Sequence, residues 1–271
     1  MEARVVLISY TPDLERVCAS AMRSCYSQYP ASELYLRKDL LGDADVKRML
    51  EKALQLGHHD VMEHGSLTFS LDNVSRVLTH QLVRHRLASF SQQSQRYVRI
   101  GKSEWYVKPP SLKDEKVQVE VDNAKIKLSY DDFMAVSEQI YEAYSEKGLH
   151  KEDARFIVPS ASKTNITITA NPREFRHIFS QRCDSAAQWE IRDVCWAMLA
   201  SAKLIAPNIF KTFDSPASKD RQALERLAKM DELLSDYRSS FEKAERGTLF
   251  EIDLSKFDLS HKVLSFILKG S

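Results

Sequence analysis

Arg84, His85 and Arg86 stand in a row, and Ser89, Ser91, Gln92, Gln93, Ser94, Gln95 and Arg96 follow within ten residues. No hydrophobic core needs that composition. Guanidinium forks take phosphate oxygens in pairs, and short hydroxyl and amide side chains supply donors and acceptors for a base edge or a sugar. A solvated basic helix end is the rival reading, because cations near a helix C-terminus suit its dipole. The density of uncharged donors and acceptors behind the basic triplet argues for a phosphate-bearing ligand instead.

Two further clusters carry chemistry. Gly57-His58-His59-Asp60-Val61-Met62-Glu63-His64 sets three imidazoles and two acids in eight residues. Imidazole and carboxylate are common metal ligands, but the spacing matches no HExxH pattern. We read the cluster as a polar loop on a ligand. Asn171-Pro172-Arg173-Glu174-Phe175-Arg176-His177, continuing through Ser180 to Arg182, joins a helix start to cations, which is an anion site by geometry and dipole. Arg173, Arg176, His177 and Ser180 fall at near-helical intervals; an exposed amphipathic helix is the alternative. Arg155 sits among apolar neighbours, where a guanidinium needs a carboxylate or a ligand phosphate as partner.

Elements must hold these groups in place. Arg4–Ser9 reads as a strand, residues 12–27 as a helix, and Asp43 as the N-cap of a helix to about Leu56. Ser66–Leu71 alternates as a strand. Asp72 or Asn73 then caps a helix through His85, with Gln81, Arg84 and His85 on one face. The Ser/Gln run after it reads as a loop. Tyr97–Tyr106 reads as a strand or edge segment, and the alternation of Val117, Val119 and Val121 as a short hairpin or loop. Helices follow at Asp131–Glu146 and Lys151–Val158, then a strand at Thr164–Ala170. Asn171 caps a helix to Arg182, with Pro172 at its first position. Another helix covers Ala186–Ile205. Lys219–Arg246 has Leu and Met at helical spacing, and the last 20 residues are weakly patterned.

The composition narrows the classes. The chain has 271 residues, enough for one large domain or two small ones. Its 39 basic and 38 acidic residues nearly cancel, which disfavours a nucleic-acid partner. With only 7 glycines and neither GxGxxG nor GxxxxGK[ST], any nucleotide is held by side chains and helix ends. The four cysteines form no CxxC pair, no apolar run reaches membrane-spanning length, and the start has no signal layout. These features predict reduced thiols in a cytoplasmic protein without a membrane partner.

The Arg-His-Arg triplet, with Ser94 after seven intervening residues, is similar to the signature of the flavin-dependent thymidylate synthases. Three companions occur in the same order: Gly-His-x-x-x-x-Glu-His at 57–64, Ala154–Pro159, and Asn171 through Gln188-Trp189-Glu190. The resemblance covers about residues 50–205. It implies conversion of dUMP to dTMP, with 5,10-methylenetetrahydrofolate as carbon donor and FAD, reduced by NADPH, as hydride source. It also implies a mixed α/β (α+β) domain over residues 1–206, a mixed or antiparallel sheet flanked by helices. Residues 207–271 are then a C-terminal helical extension of unassigned role. The assembly implied is a homotetramer with shared active sites.

The same resemblance distributes roles. Gln81, Arg84, Gln92, Gln93, Ser94, Arg96, Arg155 and Arg182 would contact dUMP, with Arg182 at the uracil edge as the catalytic residue. His58, Asp60, Glu63, Arg84, His85, Arg86, Asn171, Arg173 and His177 would hold FAD. No residue is assigned to a metal. Gln92 stands where the family often has Glu, and Asp60 where Thr is frequent. Ser94 looks like a nucleophile, but no His-Asp pair is near it in sequence, so it is given a binding role. Cys183 and Cys195 lie on apolar helix faces and are read as inert. The competing functions are a noncatalytic RNA- or nucleotide-binding protein using the same Arg, Gln and Tyr97 groups, and a metallohydrolase centred on His58, His59 and His64.

Overall fold

The computed structural model describes residues 2–99 and 104–270. In chain order the strands are β1 (Ala3–Tyr10), β2 (Leu67–Ser75), β3 (Ser89–Gln92), β4 (Val117–Val121), β5 (Ala124–Leu128), β6 (Lys163–Ala170), β7 (Leu249–Ile252) and β8 (Val263–Leu268). The helices are α1 (Leu14–Ser24), α2 (Ala31–Leu36), α3 (Asp43–Leu56), α4 (Arg76–Leu82), α5 (Tyr130–Glu146), α6 (Lys151–Ala154), α7 (Pro172–Arg182), α8 (Trp189–Ile205) and α9 (Arg221–Lys243). Six strands form one mixed sheet in the order β3-β6-β2-β1-β8-β7, and β4 and β5 form a separate hairpin. Within the sheet only the β1–β8 pair is parallel.

One face of the sheet is apolar because the strands alternate. Leu67, Phe69 and Leu71 of β2 and Ile166 and Ile168 of β6 point into the core, with Thr and Ser between them facing out. The central helix α8 is buried almost all round from Glu190 to Leu204, with Glu190, Asp193 and Lys203 buried among its apolar residues. Its buried cation, Lys203, is satisfied by the Phe210 carbonyl at 3.1 Å and by Asp231 at 2.9 Å. No helix among the described residues is long and apolar enough to cross a membrane.

Four local expectations are corrected. Asp72 and Asn73 do not cap a helix: β2 continues through them with an irregularity in its pairing to β6, and Asn73 takes φ 59°. Asp and Asn tolerate the left-handed region as readily as they cap, and here the sheet wins. Ser75 is the true cap, its hydroxyl accepting from Leu78 N at 3.0 Å. The Ser/Gln run is not all loop, because Ser89–Gln92 pairs with Ile166–Thr169 as the edge strand β3. The weakly patterned tail returns to the sheet as β7 and β8, with β8 beside β1, after the helical extension α9. The α3 cap falls one residue earlier than expected, on Gly42. Of the strand expected over Tyr97–Tyr106, residues 100–103 lie outside the described residues. The flanks are a turn at 95–97 and a single bridge from Tyr106 to Ser162.

Candidate active site

Glu190, from the Gln188-Trp189-Glu190 run, sets the start of α4. Its carboxylate accepts from Ser75 N at 2.7 Å and from the Ser75 hydroxyl, joining the buried helix α8 to the N-cap of α4. Burial pushes the Glu190 carboxyl above its usual range, and the Ser75 bonds pull the other way. The helix runs only to Leu82. Arg84 N and His85 N then bond back to the Gln81 and Leu82 carbonyls, which turns the chain out of α-geometry. Arg84, His85 and Arg86 are therefore displayed by a turn, and the single helical face expected for Gln81, Arg84 and His85 is not formed.

That turn faces the N-terminus of α7 across a cleft of about 680 Å³, within the size range of small-molecule and cofactor sites. Arg84, His85, Arg86 and Leu87 form one wall, with Asn171, Arg173, Glu174 and His177 opposite, and His59, Glu63 and the Asp214-Ser215 loop at the ends. Asn171 Oδ1 accepts from Glu174 N at 2.9 Å, so the predicted cap is real and its amide NH₂ is left for a ligand. Arg173 pairs with Glu63 at 2.5 Å. Arg84 and Arg86 are exposed and have no carboxylate partner among the described residues. Unneutralised guanidiniums beside a helix N-terminus and an exposed Leu87 suit a group that joins phosphates to an aromatic ring system.

At the back of the cleft His85 is buried. Its Nε2 accepts from Arg182 Nε at 3.1 Å, and its ring meets that of His177 edge-on at 5.6 Å. The proton of the neutral ring is then on Nδ1, which faces Glu174 Oε1 at 3.9 Å. Burial, helped by the nearby Arg182 and His177, pushes the His85 pKa down to about 4. The depressed value keeps His85 an acceptor above about pH 4, and the bond to Arg182 is lost only as pH falls through that value. We expect the His85 ring nitrogens to show no titration between pH 5 and 8 by ¹⁵N NMR; a midpoint near the ordinary 6.5 would contradict this environment.

A second group lies on the sheet edge. Gln92 Nε2 donates to Thr79 Oγ1 at 3.0 Å, and Arg76 Nη2 donates to the Gln93 carbonyl at 2.8 Å. Ser94 Oγ accepts from Arg96 N, and Arg96 pairs with Glu152 at 2.8 Å. Arg155 Nε donates to the Glu152 carbonyl at 3.1 Å, and no carboxylate pairs with its guanidinium among the described residues. Arg182 bridges to the end of α4 and the turn after it: its Nη2 donates to the Gln81 carbonyl at 3.3 Å while its Nε holds His85.

Not every sequence candidate is gathered. His58 and Asp60 are exposed and do not line the cleft; His59 does. Arg176 and Ser180 are buried rather than shared with Arg173. Arg176 donates to the Ile209 and Thr212 carbonyls and pairs with Asp214 at 2.6 Å, which anchors the loop at the cleft end. Among the described residues no group of three or more His, Cys, Asp or Glu stands together as a metal site, so the cluster at 57–64 gives the metallohydrolase reading no geometry. Cys183 and Cys195 are buried. Burial pushes the first thiol well up and the second to about 12, so neither offers a thiolate. Sequence reasoning missed Glu174, Glu190 and Arg76. Their signal was weak, because first-turn acids and an Arg after Ser read as ordinary capping and surface charge.

The comparisons agree with one another. The family model described as thymidylate synthase complementing protein, Thy1, matches residues 6–208. A flavin-dependent thymidylate synthase of Clostridium tetani is 41% identical over 220 residues, 78% of this chain and 86% of that protein. One of Geobacter sulfurreducens is 40% identical over 209 residues, 77% of this chain and 85% of that protein. A solved structure of a UMP/dUMP methylase, PolB of Streptomyces cacaoi bound with 5-Br dUMP, shares the fold. Its TM-score is 0.63 at 20% identity, covering 78% of this chain and 94% of that one.

Proposed function

The chain belongs to the Thy1 family of flavin-dependent thymidylate synthases, and from that premise we propose how its two groups of residues divide the methylation of dUMP to dTMP. The turn side of the Arg84–Arg96 segment holds the flavin, and the strand side holds the nucleotide. Bound FAD supplies the hydride after reduction by NADPH, and 5,10-methylenetetrahydrofolate supplies the carbon.

The cleft residues have defined parts. Arg84, Arg86 and Arg173 take the flavin phosphates, with the free amide of Asn171 at the helix start. Glu63 holds Arg173, and His85 and His177 form the polar back wall. At the sheet edge, Gln92, Gln93 and Ser94 face the base and sugar, while Arg96 and Arg155 take the phosphate. Arg76, which pins the Gln93 carbonyl, fixes the end of β3. Edge strands are open to another chain. The position of β3 at the sheet edge supports sites completed by neighbouring subunits of a homotetramer.

One observation carries this reading. Arg182 is held by His85 in the cleft wall and by the carbonyl of Gln81, a residue we assign to dUMP. A guanidinium fixed on two nitrogens directs its remaining N–H groups without reorganisation, as the stabilisation of negative charge on a pyrimidine requires. Purified protein should be yellow and should release tritium from 5-tritiated dUMP when folate and NADPH are present. Colourless protein that takes up no added flavin would count against the reading. Ser94→Ala should keep activity within about tenfold of wild type, the cost of one hydrogen bond to a ligand. Complete loss of turnover with dUMP and flavin still bound would make Ser94 a nucleophile.

A further inference from the structure

The loop that closes one end of the flavin cleft lies past residue 208, beyond the stretch that matches the Thy1 family model. It follows α8 over residues 207–216 and is tied down on three helices. Glu15 of α1 accepts from Asn208 N at 2.5 Å and from Ile209 N at 3.2 Å. Lys203 of α8 donates to the Phe210 carbonyl, and Arg176 of α7 donates to the Ile209 and Thr212 carbonyls. Phe213 is buried, and its ring meets that of Trp196 edge-on at 5.6 Å. A loop anchored this way is a preformed wall, so a ligand that uses it loses little in ordering it.

Asp214 and Ser215 bring this loop into the cleft. The two oxygens of the half-buried Asp214 have different settings. Oδ1 accepts from Nη2 of the buried Arg176 at 2.6 Å. Asp214 Oδ2 and Ser215 Oγ have no hydrogen-bond partner among the described residues. Arg176 offsets the carboxylate charge, which makes an acid tolerable in a cleft that takes phosphates elsewhere. An ionised carboxylate only accepts hydrogen bonds. It turns a phosphate away and suits a hydroxyl, while Arg84 and Arg86 of the wall formed by the turn suit the phosphates.

On the flavin reading of this cleft, we propose that Asp214 and Ser215 form a subsite for the sugar hydroxyls of the bound flavin nucleotide. Asp214 Oδ2 accepts from one hydroxyl, and Ser215 Oγ exchanges a bond with its neighbour. A bond from a hydroxyl to a carboxylate is roughly twice as strong as a neutral one. An acid on a ribose hydroxyl is also the device by which dinucleotide-binding folds hold that sugar. FAD carries hydroxyls in two places, its adenosine ribose and its ribityl chain, and either can supply the donors. The proposal gives the chain beyond residue 208 a part in holding the cofactor.

The test is the affinity of full-length apoprotein for FAD and for FMN, read by quenching of flavin fluorescence. Asp214→Asn keeps an oxygen for Arg176 and puts an amide in place of Oδ2. It should weaken FAD by about tenfold, the cost of one hydrogen bond to a charged group, with the thermal midpoint of the apoprotein unchanged. FMN affinity that stays at the wild-type level assigns the hydroxyls to the adenosine ribose, and FMN affinity that falls equally assigns them to the ribityl chain. FAD affinity within about twofold of wild type overturns the proposal, as does a loss matched by a lower thermal midpoint, because Asp214 then serves only Arg176. Should Asp214→Asn unfold, Ser215→Leu changes an exposed side chain, leaves the bond to Arg176 in place and sets an apolar branch where a hydroxyl must enter. The same fall in FAD affinity is expected, and unchanged affinity overturns the proposal. Wild-type protein that binds neither flavin contradicts the flavin reading and this proposal together; wild type and variants that bind FAD alike contradict this proposal alone.

Discussion

Arg182→Ala is expected to lower kcat/KM for dUMP by about 10²- to 10³-fold, the usual effect of removing one donor from a site of developing negative charge. Its structural partners explain why the fold should survive. Arg182 is the last residue of α7, half-buried, and its two bonds go to the Gln81 carbonyl near the end of α4 and to an imidazole rather than to a buried carboxylate. Its loss leaves no unpaired buried charge, so the thermal midpoint should move little. Lys should not rescue activity. An ammonium is a point charge without the planar fork, so it cannot bond His85 and Gln81 while presenting further N–H groups. A variant with near-normal turnover would remove Arg182 from the chemistry.

Glu190→Ala is expected to have the largest effect on stability, roughly 2–4 kcal/mol, measured by urea denaturation. The carboxylate is buried and is the partner of both Ser75 N and the Ser75 hydroxyl. Truncation leaves those donors unpaired inside the protein and releases the N-cap of α4 from α8. Because α4 leads directly into the Arg84–Arg86 turn, flavin retention should fall with stability. Glu190→Gln keeps an acceptor and should lose less than half as much. An alanine variant as stable as wild type would show that α4 is positioned by its apolar face alone.

Legibility in the sequence tracked how many structures a local pattern allows. Asn171-Pro172 admits little besides a helix start, and it forms one. The alternation at 164–170 and the helix expected over Ala186–Ile205 likewise became β6 and α8, the helix starting at Trp189. Asp72-Asn73 was ambiguous because the same residues serve caps and bulges, and only pairing with β6, some 90 residues away, decides between them. Ser89–Gln92 lacks the β-branched residues of a typical strand, and its pairing with β6 is a tertiary fact. Val263–Leu268 could not be placed beside β1 from local sequence, since parallel pairing across the whole chain leaves no local signature.

The site divides in the same way. Residue types marked Arg84, His85, Arg86, Asn171, Arg173 and His177, and these do line one cleft. The link from His85 to Arg182 spans 97 positions and depends on the ring being neutral, which burial favours with Arg182 and His177 beside it. His59 rather than His58 reaches the cleft because the short 3₁₀ turn at His59–Glu63 rotates the cluster, a choice that adjacent histidines do not reveal.

We propose that the Arg84–Arg96 segment serves both a flavin cleft and a nucleotide edge, with Arg182 acting on the nucleotide beside the flavin. The most direct test is to titrate dUMP into flavin-loaded protein and record the flavin difference spectrum. Wild type should give a saturable change. Arg182→Ala, with flavin bound in wild-type amount, should give none at the same dUMP concentrations. A wild-type response from Arg182→Ala, or a wild-type flavin spectrum indifferent to dUMP, would contradict the account.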